Sequence, residues 1–381
     1  MSEFTLEMPT KIYFGNNITE KAIGKQARWI HDVVMLVTTG RTLKKLGYVD
    51  ALVQLLEGMP NVKEVLVFEH ISSNPRLSEV KEAVRIGKTK SVNCIVGFGG
   101  GSALDAAKAA AVGIGSDQSL ESFLLEEKVP GRETLPIIAI PTTAGTGSEL
   151  SKGAILSSPE HHIKTGIRGE HIYPKAAIVD PVYTWSVPQR ITMETGFDVL
   201  SHGIESFLAV KSNPFTEMLS EKVIHIVAKQ LPALYGDLDN KAAREVMSYA
   251  SMLMGINLAN AGTCLPHRIQ YAIGAATDTS HGAGLAALYP SWIMHEYEVN
   301  PEKVSYGLFV LTNKRVSGKK EAGICMRDFL ERLDLGYTLG SLGIRADELS
   351  VLAEAVTGNI GNDLLSHYKG CIAEILAESL Q

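Results

Sequence analysis

The first half of the chain alternates short apolar runs with amphipathic stretches. The apolar runs contain many β-branched residues and end in turn residues, as buried parallel strands do. They lie at 33–38, 64–69, 92–97, 135–140 and 176–179. Helical patterns lie between them, at 42–57, 77–89 and 103–113. Strand and helix in regular alternation predict an open, doubly wound α/β sheet.

Long helical patterns replace the strands after about residue 186. They lie at 190–209, 215–232, 241–259, 284–297, 319–334, 346–357 and 362–379. Pro214, Pro232 and Pro301 are interpreted as helix stop signals. We therefore predict an α/β domain at 1–186 and an all-helical domain at 187–381, joined near DPVYTWSVP (180–188).

A glycine-rich turn follows one predicted strand, in VNCIVGFGGGSALDAAK (92–108). Between this strand and the next helix stand Gly99, Gly100, Gly101 and Ser102. Glycines let a backbone approach a ligand closely, and the N–H groups and dipole at a helix N-terminus suit a phosphate. The segment indicates a pyrophosphate site, although turns of this kind also join strands to helices without any ligand.

A second turn of small residues, in PIIAIPTTAGTGSE (136–149), places Thr142, Thr143 and Thr146 after a neighbouring strand. Ligands of open α/β sheets bind at the carboxyl ends of strands, where these hydroxyls would lie. The alternative is a turn whose hydroxyls bond only their own backbone. Two such turns on one sheet favour a bound ligand.

Four polar residues of the helical half have the chemistry of metal ligands. Asp198 and His202, in ETGFDVLSHGIES (194–206), would share one face of a helix. CLPHRIQYAIGAATDTSHGAG (264–284) adds His267 and His281. One carboxylate and three imidazoles suit a borderline divalent ion such as Fe²⁺ or Zn²⁺. Spacing alone favours the competing interpretation, a surface Asp–His pair with hydrogen-bonded core histidines.

Composition and charge narrow the class of protein. The 381 residues, 45% of them hydrophobic, provide material for two cores. A net charge of −6 without a basic run argues against nucleic acid as a partner. Four cysteines without a close pair indicate reduced thiols. The N-terminus MSEFTLEMPTKIYFG lacks a signal-peptide pattern, and no apolar run reaches the roughly 18 residues of a membrane span. These features predict a cytoplasmic protein.

Four motifs, in their order along the chain, resemble the signatures of the iron-containing (group III) alcohol dehydrogenases. They are GGGSALDAAK, PTTAGTGSE, FDVLSHGIES and PHRIQYAIGAATDTSHG, and KIYFG (11–15) fits the start of that family. The resemblance spans about residues 10–300. It implies a Rossmann-like dinucleotide-binding domain followed by an all-α metal-binding and catalytic domain, the architecture shared with dehydroquinate synthase-like proteins. It also implies a homodimer or a larger homo-oligomer.

The resemblance assigns roles to particular residues. The family's metal ligands match Asp198, His202, His267 and His281. Its cofactor-binding positions match Gly99, Gly100, Gly101, Ser102, Asp105, Thr142, Thr143, Thr146 and Lys164. The implied reaction is hydride transfer between NAD(P)(H) and a small alcohol or aldehyde, with Fe²⁺ or Zn²⁺ acting on the substrate oxygen.

Two departures from the family pattern affect the expected mechanism and cofactor. Tyr271 stands where many members have a further histidine that relays a proton, so Tyr271 becomes a catalytic candidate beside water and the cofactor ribose. In MLVTTGRTL, Gly40 stands where NAD-preferring members often have an acidic residue, and Arg41 follows it. Because Arg41 could pair with a 2′-phosphate, we predict that NADP(H) is favoured over NAD(H).

Other classes stay open as alternatives. They are a glycerol dehydrogenase-like or maleylacetate reductase-like oxidoreductase, a dehydroquinate synthase-like cyclase, and a non-catalytic scaffold on the same fold. A scaffold would be expected to have lost a metal ligand, and all four are present. The particular alcohol or aldehyde, the choice between iron and zinc, and the direction of the reaction are left open.

Overall fold

Eight strands form two sheets in the part of the chain that the computed structural model describes, residues 3–381. They are β1 (Lys11–Phe14), β2 (Asp32–Thr39), β3 (Val62–Ile71), β4 (Cys94–Gly99), β5 (Ile137–Pro141), β6 (Gly153–Ser158), β7 (Ile163–Arg168) and β8 (Ala176–Val179). Six of them form one sheet in the order β1-β8-β5-β4-β2-β3, and all its neighbouring strands are parallel. β6 and β7 form an antiparallel pair. The predicted parallel α/β sheet is confirmed.

Helices cover both faces of the large sheet. They are α1 (Thr19–Gly24), α2 (Thr42–Lys45), α3 (Tyr48–Glu57), α4 (Leu77–Thr89), α5 (Gly101–Gly115) and α6 (Leu120–Leu124). Successive residues of β2 point to opposite faces, so Val34 and Leu36 join a core with Leu52 of α3. Met35 and Val37 join a second core with the alanines of α5. This two-sided burial explains the continuous apolar runs of the strands.

The strand order reverses between β2 and β4. From β2 the chain continues to β3 on one side, and β4 then pairs with β2 on the other side. Ligands of open α/β sheets bind beyond the carboxyl ends of the strands at such a switch point. The segments that follow β2 and β4 contain Gly40 and the Gly99–Ser102 turn, respectively.

The second half of the chain is helical, as predicted. Its helices are α7 (Gln189–Leu208), α8 (Pro214–Gly236), α9 (Lys241–Asn260), α10 (Leu265–Thr277), α11 (His281–Val299), α12 (Pro301–Thr312), α13 (Lys319–Glu331), α14 (Leu349–Glu354) and α15 (Cys371–Glu378). α7 is buried on nearly every side and packs against α8, α9 and α11. Among the described residues, no helix is both long and apolar enough to cross a membrane.

Several details differ from the sequence-based interpretation. Pro214 and Pro301 begin helices α8 and α12 rather than ending the helices before them, because proline suits the first helical position. Pro232 lies inside α8, which continues to Gly236. The pattern at 42–57 divides into α2 and α3 at Gly47, which has a left-handed φ of 76°.

The described residues divide into two compact units. One unit contains Met8–Thr143 and Gly147–Thr184, and we call it the α/β unit. The other contains residues 3–7, Ala144–Thr146 and Trp185–Gln381, and we call it the helical unit. The first two residues of the predicted 1–186 domain lie outside the described residues.

Candidate active site

Helix α7 carries three polar residues on one buried face. Asp198, His202 and Glu205 are spaced i, i+4 and i+7, so they lie on the same side of the helix over two turns. Their side chains are at most 4% exposed. Polar groups on so deeply buried a helix need a partner or a ligand.

The N-terminal ends of two other helices supply the remaining imidazoles. His267 is the third residue of α10, and His281 is the first residue of α11. The start of α11 lies close to α7, since a Cβ on Gly282 would stand 2.5 Å from the carbonyl oxygen of Glu194. Glycine at position 282 therefore permits the approach that brings His281 to the face of α7.

The three histidine Nε2 atoms converge on one carboxylate oxygen. Asp198 Oδ1 lies 3.5 Å from Nε2 of His267, 3.5 Å from that of His281 and 3.7 Å from that of His202. The ligand atoms of Asp198, His267 and His281 all lie within 4.8 Å of one another. Two ligands about 2.1 Å from an ion at the tetrahedral angle are about 3.4 Å apart, so this spacing fits a metal.

Two buried atoms of the cluster also need a cation. Within residues 3–381, Asp198 Oδ1 and His267 Nε2 have no hydrogen-bond partner, and they lie 3.5 Å from each other. Buried polar atoms in native proteins nearly always have a partner, and one ion between these two would satisfy both. The donor set therefore fits the divalent metal that the motifs suggest.

The charges around the cluster keep its carboxylate ionised. Burial raises the pKa of Asp198, but the imidazoles of His202, His281 and His267 outweigh burial, and the pKa falls well below its usual value. Burial also lowers the pKa of His202. For His267, burial lowers the pKa, whereas the Glu205 and Asp198 carboxylates raise it to about 10. Asp198 is thus in the form that ligates a metal.

Tyr271 lies beside the most accessible member of the cluster. The side chain of His281 is 26% exposed, whereas those of the other three members are at most 4% exposed. Tyr271 stands one helical turn after His267 and stacks on His281, with ring centroids 6.1 Å apart. The Arg268 guanidinium lies over the Tyr271 ring, 4.9 Å from its centroid.

Two residues that the sequence analysis did not identify hold the imidazoles in place. His267 Nδ1 lies 2.7 Å from Glu205 Oε1, and His281 Nδ1 lies 2.6 Å from Gln270 Oε1. In each ring the contact occupies Nδ1, so Nε2 stays available to bind a metal. The position of Glu205, three residues after His202 on the same helix, was a usable signal, whereas the sequence contains none for Gln270.

The ends of β2, β4 and β5 meet at the glycine-rich turn. Gly99 has a φ of 155°, and a Cβ there would lie 2.7 Å from Ala103 Cβ, so only glycine fits. Thr142 donates its backbone N–H to the Gly99 carbonyl at 2.9 Å. A Cβ on Gly100 would lie 3.3 Å from Thr143 Oγ1. The two predicted turns therefore adjoin, at the N-terminus of α5.

Ser102 and Lys164 both contact the loop that follows β3. Ser102 donates its hydroxyl to the carbonyl oxygen of Ser73. Lys164, on β7, donates to Asn74 Oδ1 at 2.8 Å. Both predicted cofactor residues thus lie next to one loop of the α/β unit.

Asp105 belongs to a cluster of charged residues with Lys108, on the helix α5 that follows the glycine-rich turn. It accepts hydrogen bonds from the Ser148 hydroxyl and, at 3.0 Å, from the backbone N–H of Ile155, and it lies 3.2 Å from Lys108 Nζ. Burial lowers the pKa of Lys108. Burial also raises the pKa of nearby Glu149, to about 7. The contacts fasten α5 to the hairpin of β6 and β7.

The remaining predicted cofactor residues lie in different places. Gly40, directly after β2, has a φ of 63° and open space around its Cβ position. Arg41 is exposed. Thr146 is grouped with the helical unit rather than with the α/β unit.

Two family models match the chain in succession. The model described as iron-containing alcohol dehydrogenase matches residues 9–181. The model described as Fe-containing alcohol dehydrogenase family, C-terminal, matches residues 192–378. Together the two matches cover nearly all of the chain.

Individual relatives agree with the family models. The chain is 28% identical over 371 residues to the probable NADH-dependent butanol dehydrogenase 1 of Bacillus subtilis (strain 168), with 94% of each chain covered. It is 30% identical over 287 residues to the sulfoacetaldehyde reductase of Bilophila wadsworthia (strain 3_1_6), with 74% of each covered. The crystal structure of an archaeal halo-thermophilic Red Sea brine pool alcohol dehydrogenase matches with a TM-score of 0.93 and 30% identity, and 100% of both chains is covered.

The fold, the candidate metal cluster and these matches define an oxidoreductase that works on alcohols and aldehydes with a nicotinamide cofactor. The chain belongs to the iron-containing alcohol dehydrogenase family. The family and the enzyme class predicted from the four motifs are therefore confirmed.

Proposed function

We propose that the protein interconverts a small alcohol and its aldehyde at one divalent metal held by Asp198, His202, His267 and His281. The observation that carries this proposal is the convergence of three Nε2 atoms on the unpartnered Asp198 Oδ1, at 3.5 to 3.7 Å. A bound divalent metal supplies Lewis-acid polarisation of the substrate oxygen. Among its ligands, Asp198 provides the negative charge that a cation requires.

The protein residues around the cluster bind and orient. Burial of Asp198, His202 and His267 excludes water, which strengthens the attraction between the carboxylate and a cation. His281 is the most exposed ligand, so the substrate approaches from its side. We infer that Tyr271, which stacks on His281, donates or accepts the substrate hydroxyl proton.

The metal is proposed to be Fe²⁺, with Zn²⁺ as the alternative, since both are borderline ions that accept imidazole and carboxylate ligands. Reconstitution of stripped protein with each ion, followed by turnover measurement, distinguishes the two. A substrate panel of primary alcohols, glycerol and maleylacetate separates the alcohol dehydrogenase from its two closest alternatives.

The cofactor is proposed to bind at the switch point of the α/β sheet. Gly99, Gly100 and Gly101 leave the backbone open at the N-terminus of α5, where a pyrophosphate is favoured. The hydroxyls and cations proposed to surround the cofactor belong to Ser102, Thr142, Thr143, Thr146 and Lys164, with Asp105 supporting the turn. NADP(H) is the proposed preference, because Gly40 adds no carboxylate and Arg41 is exposed. The Bacillus subtilis relative is named for NADH instead, and the Gly40→Asp variant tests the preference.

Cytoplasmic location and a homodimer or larger homo-oligomer are further proposals from the sequence. The four cysteines, all buried and free, are consistent with a reducing compartment. Light scattering after size exclusion measures the assembly directly.

Replacing a ligand tests the metal proposal. His267→Ala should lose the bound metal and reduce kcat by about 1000-fold or more, while the circular dichroism spectrum stays that of the wild type. The matched control is His225→Ala, because His225 lies exposed on α8 and contacts the hydroxyl of Tyr306. Full turnover by metal-free His267→Ala would contradict the proposal.

Removing one hydroxyl tests the role of Tyr271. Tyr271→Phe keeps the ring that stacks on His281 but removes the proton donor. We expect kcat to fall by about 10-fold to 100-fold and the pH profile of kcat to change shape, with metal content unchanged. A pH profile identical to that of the wild type would assign the proton path to water or to the cofactor.

A further inference from the structure

Glu205 is a fully buried carboxylate in direct contact with His267. Its Oε1 accepts from His267 Nδ1 at 2.7 Å, and Tyr289 shares its one hydroxyl hydrogen between this oxygen, at 3.3 Å, and the Ser201 carbonyl, at 3.0 Å. Its Oε2 accepts the backbone N–H of Cys264, the residue before α10, at 2.7 Å. One side chain of α7 therefore holds both the start of α10 and the imidazole which that helix presents.

The contact determines which nitrogen of His267 is available. A carboxylate accepts protons only, so His267 Nδ1 must carry its hydrogen. Nε2 is then the ligating nitrogen, and it points to Asp198 Oδ1, 3.5 Å away. The backbone N–H of Cys264 bonds the other oxygen and limits rotation of the carboxylate, so the ring plane of His267 is fixed as well.

His281 offers an internal comparison. Its Nδ1 contacts the amide oxygen of Gln270 at 2.6 Å, and Gln270 is neutral. Among the described residues, the buried Nε2 of Gln270 has no hydrogen-bond partner. Replacing this amide by a carboxylate would therefore remove no hydrogen bond of the nitrogen. A carboxylate partner makes an imidazole a stronger donor to a metal than an amide does.

Charge balance gives a second reason for a carboxylate at position 205. Asp198 supplies one negative charge to a divalent cation, and neutral imidazoles supply none. Glu205 supplies the second negative charge, and it contacts the ligand His267 rather than the ion itself. An uncompensated charge in this interior would be costly, and the second carboxylate removes that cost when the cation is bound.

We propose that Glu205 is a positioning residue, which fixes the Nε2-ligating form of His267 and thereby raises the affinity of the site for a divalent metal. This inference rests on the metal site proposed above. It concerns affinity rather than the hydride transfer, so metal binding alone can test it.

The experiment compares metal dissociation constants of the stripped full-length protein by chelator competition with Zn²⁺ and Co²⁺. Glu205→Gln keeps the shape of the side chain and should weaken metal binding by about 10-fold to 100-fold. Its Co²⁺ absorption spectrum should also change, because an amide partner makes His267 a weaker donor to the metal than a carboxylate does.

The matched control is Asp363→Asn. Asp363 holds the same end of α10 by accepting the N–H of Leu265 at 2.9 Å, whereas the Nδ1 of His267 is bonded to Glu205. It should lower the thermal midpoint about as much as Glu205→Gln, yet change metal affinity by less than about threefold. The reciprocal variant Gln270→Glu gives His281 a carboxylate and should bind metal more tightly.

The outcomes separate the two proposals. Wild-type protein that binds no metal at this site, with Asp198→Asn indistinguishable from it, overturns the proposed function. Wild-type protein that binds metal, with Glu205→Gln unchanged, overturns the role of Glu205 alone. If Glu205→Gln does not fold, unchanged affinity in Gln270→Glu overturns it instead.

Discussion

The candidate metal centre of the helical unit is built from side chains, whereas the candidate phosphate site of the α/β unit is built from backbone. The metal centre needs an acid and three imidazoles, each fixed by a buried helix. The turn needs the absence of a side chain, since a Cβ on Gly99 or Gly100 would meet its neighbours at 2.7 or 3.3 Å. The first site is damaged by removing atoms and the second by adding them.

Two buried carboxylates, one in each unit, differ in the direction in which their pKa values are shifted. Asp198 and Glu149 are both buried, but the pKa of Asp198 is lowered and that of Glu149 is raised. Asp198 faces three imidazoles, whereas the burial of Glu149 is opposed first by a backbone hydrogen bond and then by Lys108. Burial alone therefore does not determine ionisation, because the groups that face a carboxylate can outweigh the effect of burial.

Removing the metal should have the largest effect. Chelator-treated protein should lose turnover by about 1000-fold or more, because several kcal/mol of charge stabilisation disappears. Its unfolding free energy should fall by about 2.7 kcal/mol relative to protein with free metal at 100 times the Kd. Cofactor affinity, measured by fluorescence titration, should change little. Restored turnover on adding Fe²⁺ or Zn²⁺ is the control, and undiminished turnover without metal would contradict the prediction.

Glu149→Gln should change how stability depends on pH. Because the pKa of Glu149 is about 7 in the folded protein and 4.5 ordinarily, the unfolded chain releases its proton first. Wild-type stability should therefore fall as pH rises from about 4.5 to about 7. Glu149→Gln removes that loss. The unfolding free energy of the variant minus that of the wild type should therefore be up to about 3 kcal/mol larger at pH 8 than at pH 4.5.

Urea unfolding at several pH values measures this difference. Exposed Glu57, on α3, provides the matched acid-to-amide control, Glu57→Gln. A pH-independent difference between Glu149→Gln and wild type would show that Glu149 is ionised throughout, paired with Lys108.

Adding one methyl group at the turn should affect the cofactor alone. Gly100 has ordinary extended backbone angles, so Gly100→Ala should fold, but the new Cβ would lie 3.3 Å from Thr143 Oγ1. We expect the KM for the cofactor to rise by about tenfold, equivalent to about 1.4 kcal/mol, with metal content unchanged. Gly24→Ala, where a Cβ meets nothing within 4 Å, is the control. Unchanged cofactor KM would move the pyrophosphate away from this turn.

The parts of the fold that could be predicted are those determined by local pattern. The strands were recognisable because both of their faces are buried, so their apolar runs are continuous. Helix α10 was missed, although it carries His267. Its first N–H groups are accepted by Glu205 and Asp363, which lie 59 and 98 residues away in sequence. A helix start fixed by distant carboxylates leaves no local capping signal.

The candidate site also contains residues that local sequence pattern predicts and residues that it does not. Asp198 and His202 could be predicted to share a helix face, because residues four apart lie about one helical turn apart. His267 and His281 were joined to them only by resemblance, since spacing does not bring α10 and α11 to α7. Gln270 could not be found, because its contact with His281 depends on how two helices pack. The hairpin of β6 and β7 was also missed, and it is fastened by Asp105, a contact that local pattern does not record.

An effect no larger than that at Gly100 is expected from a charge placed beside the turn, at Gly40. Gly40→Asp should reduce kcat/KM with NADPH by about tenfold relative to NADH, because a carboxylate there repels a 2′-phosphate and accepts a ribose hydroxyl. Gly40→Asn is a close control, since asparagine has the same shape without charge and tolerates the φ of 63°. The Asp variant should therefore differ from the Asn variant in cofactor ratio but hardly in stability. If the wild type already uses NADH more efficiently, Arg41 binds no 2′-phosphate, and the preference proposed from Gly40 is wrong.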